Sequence, residues 1–219
     1  MGNTAFHTAL TPSFSRSSSP FSIFDELPRT GLPEQFDSYN EYRRHIKILL
    51  NSGLLEDPSK IWWDLRPNVN FPTLEMRICD TCTSLKDSVS IAALYLCIVH
   101  MVHRLRRENQ RWRVYSRMLI NENRWRAQRY GMEKGLVDFG KSKLVPYKYL
   151  IDELIELVKE DASELGCIQE VQNIKNIYKA GTSADKQIKI FKNEIKKSGD
   201  TKLALESVVK FLIKDTVKF

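Results

Sequence analysis

The sequence predicts an α+β protein, an antiparallel sheet with helices packed against it. Three observations carry that expectation. Residues 61–65 and 73–78 are short runs rich in β-branched and aromatic side chains, separated by the turn-prone RPNVNFP, the signature of paired strands. From Ser84 onward the apolar period becomes helical and stays so. No internal repeat and no Gly-rich phosphate loop occurs, which argues against a solenoid and against the common nucleotide-binding α/β units. With 219 residues, 42% hydrophobic and 28% charged, the chain suits one ordinary domain or two small ones and is not disordered throughout.

Residues 1–36 are rich in Ser, Thr and Pro, with SRSSSPF at 15–21 and LPRTGLP at 27–33, and are expected to be irregular. Their scattered phenylalanines, Phe6, Phe14, Phe21, Phe24 and Phe36, predict that much of the segment packs against something. A helix is expected from Ser38, an N-cap with Glu41 three residues on, to Gly53, with Tyr39, Tyr42, Ile46, Leu49 and Leu50 on one face. In the strand 73–78, Leu74, Met76 and Ile78 should face a core, which puts Glu75 and Arg77 together on the opposite face. After Ser84, Leu85, Val89, Ala92 or Ala93, Leu96, Val99 and Val102 or His103 trace a stripe expected to be buried. Residues 108–130 carry no strong breaker and read as one helix ending at Gly131, and Pro146 opens another with Leu150, Leu154 and Leu157. Shorter helices punctuated by Gly166, Gly181 and Gly199 complete the chain.

No run of about 18 uninterrupted apolar residues occurs. The longest candidate, 91–102, is broken by His100, so the expectation is a soluble protein with no membrane partner. Neither a secretory leader nor a disulfide-dense composition is visible, and the four cysteines fit a reducing cytoplasm. The formal charge of +7 favours an anionic partner without naming it. Nine arginines crowd into residues 104–129. With Trp112, Tyr115, Trp125 and Tyr130 among them they offer a nucleic-acid reading, but no recognised nucleic-acid module accompanies them, and nucleic acid is not the expected partner.

Two side-chain sets could carry chemistry. Cys79 and Cys82 form a C-x-x-C and His100 and His103 an H-x-x-H, a zinc-like set whose pairs should lie about 25 Å apart along strand end and helix. Packing is the preferred reading. Arg66, Glu75 and Arg77, with Asp64 and Asp80 near in sequence, place one carboxylate between two guanidinium groups. Such a cluster is either a structural ion-pair set or a pocket for an anion and a metal.

The run IWWDLRPNVNFPTLEMRICDTCTSLKDSVSIAALY, residues 61–95, resembles the core of the carboxylate-amine ligases of the glutamate-cysteine ligase type 2 family. SSPF at 18–21, IFDELPRTGLP at 23–33 and NENRWRAQRYGM at 121–132 follow the same family pattern, so the resemblance runs from about residue 15 to the end. It implies a glutamate-cysteine ligase or glutamine synthetase-like catalytic fold. The implied enzyme is ATP-dependent: it phosphorylates a carboxylate and lets an amine displace the phosphate, with ATP and magnesium as cofactors and a small carboxylate and amine as substrates. On that analogy Glu75 is a magnesium ligand and Arg66 and Arg77 line the catalytic pocket. Asn123, Arg124 and Arg129 match a further family segment; they are candidates for nucleotide contact or for helix packing. Family members begin with a part that includes an acidic strand, and no counterpart is seen before Met1. Residues 37–219 therefore look like the C-terminal portion of a single ligase domain. They are expected to need a separate N-terminal half or to form a homo-oligomer. The alternatives are a silent fragment and nucleic-acid binding through 104–129.

Overall fold

The structure is a computed structural model and describes residues 27–79 and 82–217. These form two compact units that divide after Asp80, within the segment expected to be one body. Most of residues 1–36, and Asp80, lie outside the described residues.

In the first unit, β1 (Thr30–Gly31) is followed by α1 (Tyr39–Asn51), a 3-10 turn (Pro58–Lys60), β2 (Trp62–Trp63), β3 (Leu65–Pro67) and β4 (Leu74–Met76). The helix begins as its sequence dictates: the Ser38 hydroxyl accepts the Glu41 N–H at 3.1 Å, satisfying one of the donors a helix start leaves open. Tyr42 and Ile46 of α1 are buried with Leu55 and Ile61, and Phe36, Leu49, Leu50 and Trp63 pack around them. Tyr39 is instead exposed.

The single strand expected over 61–65 is two strands with different partners. β2 runs parallel to β1, whereas β3 pairs antiparallel with β4 in the register Leu65↔Met76, Arg66↔Glu75, Pro67↔Leu74. Asp64 makes the switch. Its N–H donates to the Gly31 carbonyl at 2.8 Å, and its carbonyl accepts from the Arg77 and Ile78 N–H groups at 2.8 and 3.1 Å. The expected antiparallel sheet is accordingly three separate two-stranded ladders among the described residues. Leu74 and Ile78, expected to face a core, are exposed.

The second unit holds α2 (Leu85–Arg107), α3 (Arg117–Tyr130), β5 (Leu136–Asp138), β6 (Lys143–Val145), α4 (Tyr147–Leu157), α5 (Lys159–Glu164), α6 (Ile168–Ala180), α7 (Ser183–Ser198) and α8 (Thr201–Thr216). Its core gathers Ala93, Cys97 and Met101 of α2, Ile155, Val158, Ala162 and Val171. This corrects the expected stripe: Leu85, Val89, Leu96 and Val102 are exposed. Both faces of α2 are apolar, so period alone cannot choose between them. The inner face also carries Ser90, which the fold accommodates. The Ser90 hydroxyl donates to the Lys86 carbonyl at 2.8 Å and accepts from the Asn173 amide at 3.0 Å. By length and composition α2 is long and apolar enough to cross a membrane, a property it shares with the core helices of other proteins.

The arginine-rich helix expected over 104–129 does not exist as one element. α2 stops at Arg107, Asn109 adopts φ +57°, residues 110–115 are non-helical, and α3 starts afresh with the Ser116 hydroxyl accepting from Leu119 N–H. Asn tolerates the left-handed region, and Ser116 supplies a new cap, so no Gly or Pro was needed to break the run.

The β5–β6 hairpin was not anticipated. The Asp138 carboxylate holds its turn by accepting the N–H groups of Gly140 and Lys141, both at 2.9 Å. Gly135 precedes it at φ +67°, where an added Cβ would run into the Val145 carbonyl. The remaining glycines act as expected: Gly181 and Gly199 cap α6 and α7, and Gly166 stands between α5 and α6.

Candidate active site

The site residues of the first unit meet because β3 and β4 put Arg66 directly opposite Glu75, and strand alternation puts Arg77 on the same face as Glu75. Arg66 Nε donates to Glu75 Oε2 at 3.1 Å, and its Nη2 pairs with the same oxygen. Arg66 Nη1 donates to the carbonyls of Ser59 at 2.7 Å and Ile61 at 2.6 Å. Arg77 Nη1 donates to Glu75 Oε1 at 2.8 Å. Burial alone would raise the Glu75 pKa, but the hydrogen bonds and charges of Arg66 and Arg77 outweigh it and hold the carboxyl below its usual value.

The two arginines are not equivalent. Four of the five N–H donors of Arg66 are spent on Glu75 and on backbone, and its side chain is 11% exposed. Arg66 is thereby committed to Glu75 and to the backbone. The Arg77 side chain donates only through Nη1 among the described residues and is 26% exposed. Its other donors are available to an anion.

The described residues do not fit a magnesium centre by themselves. Both Glu75 oxygens already accept from guanidinium groups, and no group of three or more His, Cys, Asp or Glu side chains able to hold a metal occurs among the described residues. Cys79 is exposed and Cys82 half-buried. His100 Nδ1 pairs with Asp161 at 2.7 Å.

Asn123, Arg124 and Arg129 all lie on α3, in the second unit. The Asn123 amide donates to the Val137 carbonyl at 2.8 Å and accepts the Val137 N–H at 2.7 Å. Its hydrogen-bonding capacity thus clamps α3 to β5, the packing reading of this residue. Arg124 and Arg129 are half-buried with partners of their own. Neighbouring Arg126 donates to the carbonyls of Gly135 and Lys134 and lies over the Tyr130 ring. Trp125 and Tyr130 pack edge to face on each other.

One residue was missed. Arg29, in LPRTGLP, sits at φ +64°, and its buried Nε has no hydrogen-bond partner among the described residues. A non-glycine residue in that region and an unsatisfied buried donor are both uncommon. The sequence signal was only a charged residue between Pro28 and the Thr30–Gly31 pair.

The hairpin of this α+β protein thus sets an arginine locked onto a carboxylate beside one with unspent donors, the chemistry that receiving an anion requires. The comparisons give this protein a family. The sequence pattern of glutamate-cysteine ligase family 2 matches residues 17–207, and the chain belongs to that family. It is 53% identical over 196 residues to a protein of Rhodospirillum rubrum provisionally named glutamate–cysteine ligase 2, an alignment covering 89% of this chain and 50% of that one. A protein of the same provisional name from Jannaschia sp. is 52% identical over 193 residues, covering 88% of this chain and 51% of the relative. The one from Ruegeria pomeroyi is 45% identical over 199 residues, covering 91% and 51%. The chain spans about half the length of the curated relatives it matches.

Proposed function

We propose that this chain supplies the phosphoryl-facing hairpin of an ATP-dependent carboxylate-amine ligase, with glutamate and cysteine as the nearest substrates, built on a glutamate-cysteine ligase or glutamine synthetase-like fold. One observation carries the reading: Arg77 has unspent donors beside a carboxylate that fixes its position, in a chain that belongs to this family. In the proposed reaction a substrate carboxylate oxygen takes the terminal phosphoryl group of ATP, releasing ADP. The amine nitrogen then attacks the acyl carbon, and phosphate leaves. Arg77 offsets charge on the oxygens in transfer, where a fixed donor outside bulk water is most effective. Arg66 holds Glu75, and Glu75 holds Arg77. For Glu75 to ligate magnesium as well, it would have to share an oxygen with a guanidinium group, and the other ligands would come from outside the described residues.

The second reading is that the chain is silent alone and works with a separate half. The half-length match to its relatives favours it, as does the lack of a metal-holding cluster among the described residues. Both readings are tested together. The full chain is mixed with ATP, magnesium, glutamate and cysteine, with and without the half of the R. rubrum relative that it does not match, and ADP release is followed. Turnover is expected in the mixture, and Arg77→Ala should lower kcat/KM by about 100-fold or more. Turnover that survives Arg77→Ala unchanged removes the site assignment.

A further inference from the structure

One face of α2 carries Leu85, Val89 and Leu96, which are 48%, 46% and 52% exposed, with the exposed Ala92 between them. The spacings of four, three and four residues keep these side chains on one line, about 16 Å long at 1.5 Å per residue. The face next to it is already the core of its unit, through Ala93, Cys97 and Met101. A helix apolar on both sides belongs in an interior, and Lys86 at one end with His103 and Arg106 at the other give the strip the polar rim of a protein interface.

We infer that this strip is the seat of the half of a family-2 ligase that the present chain does not match. The inference rests on the reading that the chain is one part of such an enzyme. It draws on two facts. α2 lies inside the matched region 17–207, so the relatives carry this helix together with as much chain again. Within the unit of residues 82–217, no described residue covers the strip. The occupant is therefore a polypeptide with a complementary apolar face. A second copy, a lipid surface or this chain's own remaining residues are the competing occupants.

The probe is the unmatched half of the R. rubrum relative, co-expressed with the full chain. Size-exclusion chromatography with light scattering is expected to show a one-to-one complex. Leu96→Glu should weaken it about tenfold or more, while Leu144→Glu, at a leucine 53% exposed on β6, should leave it intact. Circular dichroism and the melting temperature of the lone Leu96→Glu chain should match wild type, because the side chain is not yet buried.

Absence of a complex overturns the inference, and so does a complex indifferent to Leu96→Glu. A lone chain that dimerises through Leu96 assigns the strip to a second copy. Flotation with anionic vesicles that Leu96→Glu abolishes assigns it to a membrane, and a lone variant that melts well below wild type shows that the chain covers the strip itself. Each of these results also overturns it. ADP release separates this inference from the functional reading: a Leu96-dependent complex without turnover removes the ligase function alone, and turnover unaffected by Leu96→Glu removes the docking site alone.

Discussion

Two carboxylates in this chain are each held by two nitrogen donors from different side chains, and they differ in burial. Asp161 is fully buried and accepts from His100 at 2.7 Å and from Arg104 at 2.9 and 3.2 Å, joining α2 to α5. Glu75 is 36% exposed on a short hairpin, with Arg66 locked and Arg77 only partly used. The first carboxylate is wholly enclosed and ties two helices together. The second is reachable from solvent beside an arginine with unspent donors. The arginines are alike in exposure, 25% for Arg104 and 26% for Arg77; what separates the two clusters is the burial of the carboxylate.

The comparison is tested hardest at Asp161. The hydrogen bond from Arg104 lowers its pKa most, burial opposes this, and the bond from His100 lowers it further, so the folded carboxyl ionises below its usual value. Asp161→Asn removes the buried partner of Arg104 and leaves it the exposed Glu160 at 3.5 Å; it should cost about 1–3 kcal/mol at neutral pH, read as a fall in urea midpoint. Because the folded pKa is depressed, the wild-type contribution is fully present above the ordinary carboxylate range, about 4, and is lost as pH falls through the folded value. Wild type should therefore lose stability between neutral and strongly acidic pH more steeply than Asp161→Asn does. Equal slopes would show that Asp161 is not the brace described.

How legible each region was in the sequence follows from the same contrast. The shared face of Glu75 and Arg77 follows from strand alternation, a local rule, whereas the register Arg66↔Glu75 does not, since Arg66 was expected in the turn and is part of β3. The Ser38 cap and the terminating glycines are local too. The buried face of α2 was misread because the decision lies in partners distant in sequence, Asn173 for Ser90 and Asp161 for His100. The place of Asp64 between two ladders was not read for the same reason, since their other strands are far apart in sequence. The split of the arginine-rich segment rested on the backbone of Asn109, which side-chain periodicity does not record.

Arg29 sharpens the contrast between the units by a smaller amount. The helical unit places Asn109 and Ser142 at positive φ, polar residues that favour turns and local hydrogen bonds, whereas the first unit places an arginine there and buries its Nε without a partner among the described residues. Strain of this kind persists where the surroundings demand it. Arg29→Gly removes both the left-handed penalty and the unsatisfied donor and should stabilise the chain by about 1 kcal/mol, seen as a rise in melting temperature. If Arg29 serves the anion site, the same variant loses ADP release in the mixed assay. A destabilised variant would show that the side chain packs productively and that its conformation is no reserve for function.

The smallest stability effect is expected where the functional effect is largest. Glu75→Gln keeps the shape of the hairpin side chain and removes its charge. Glu75 is more than a third exposed, and solvent screens its two ion pairs, so the loss of stability should stay below about 1 kcal/mol. Its lowered pKa gives the wild type a small advantage above the usual carboxylate range that fades as pH falls through the folded value, and the variant should lack that slope. Removing the charge nevertheless frees Arg77 from the group that fixes it, and a guanidinium that must be reoriented for each turnover loses the benefit of preorganisation. In the mixed assay Glu75→Gln should therefore lower kcat far more than it lowers the melting temperature. The reverse pattern, a large fall in melting temperature with ADP release retained, would make the Glu75 cluster a second brace like Asp161 and move the search for the anion site elsewhere in the chain.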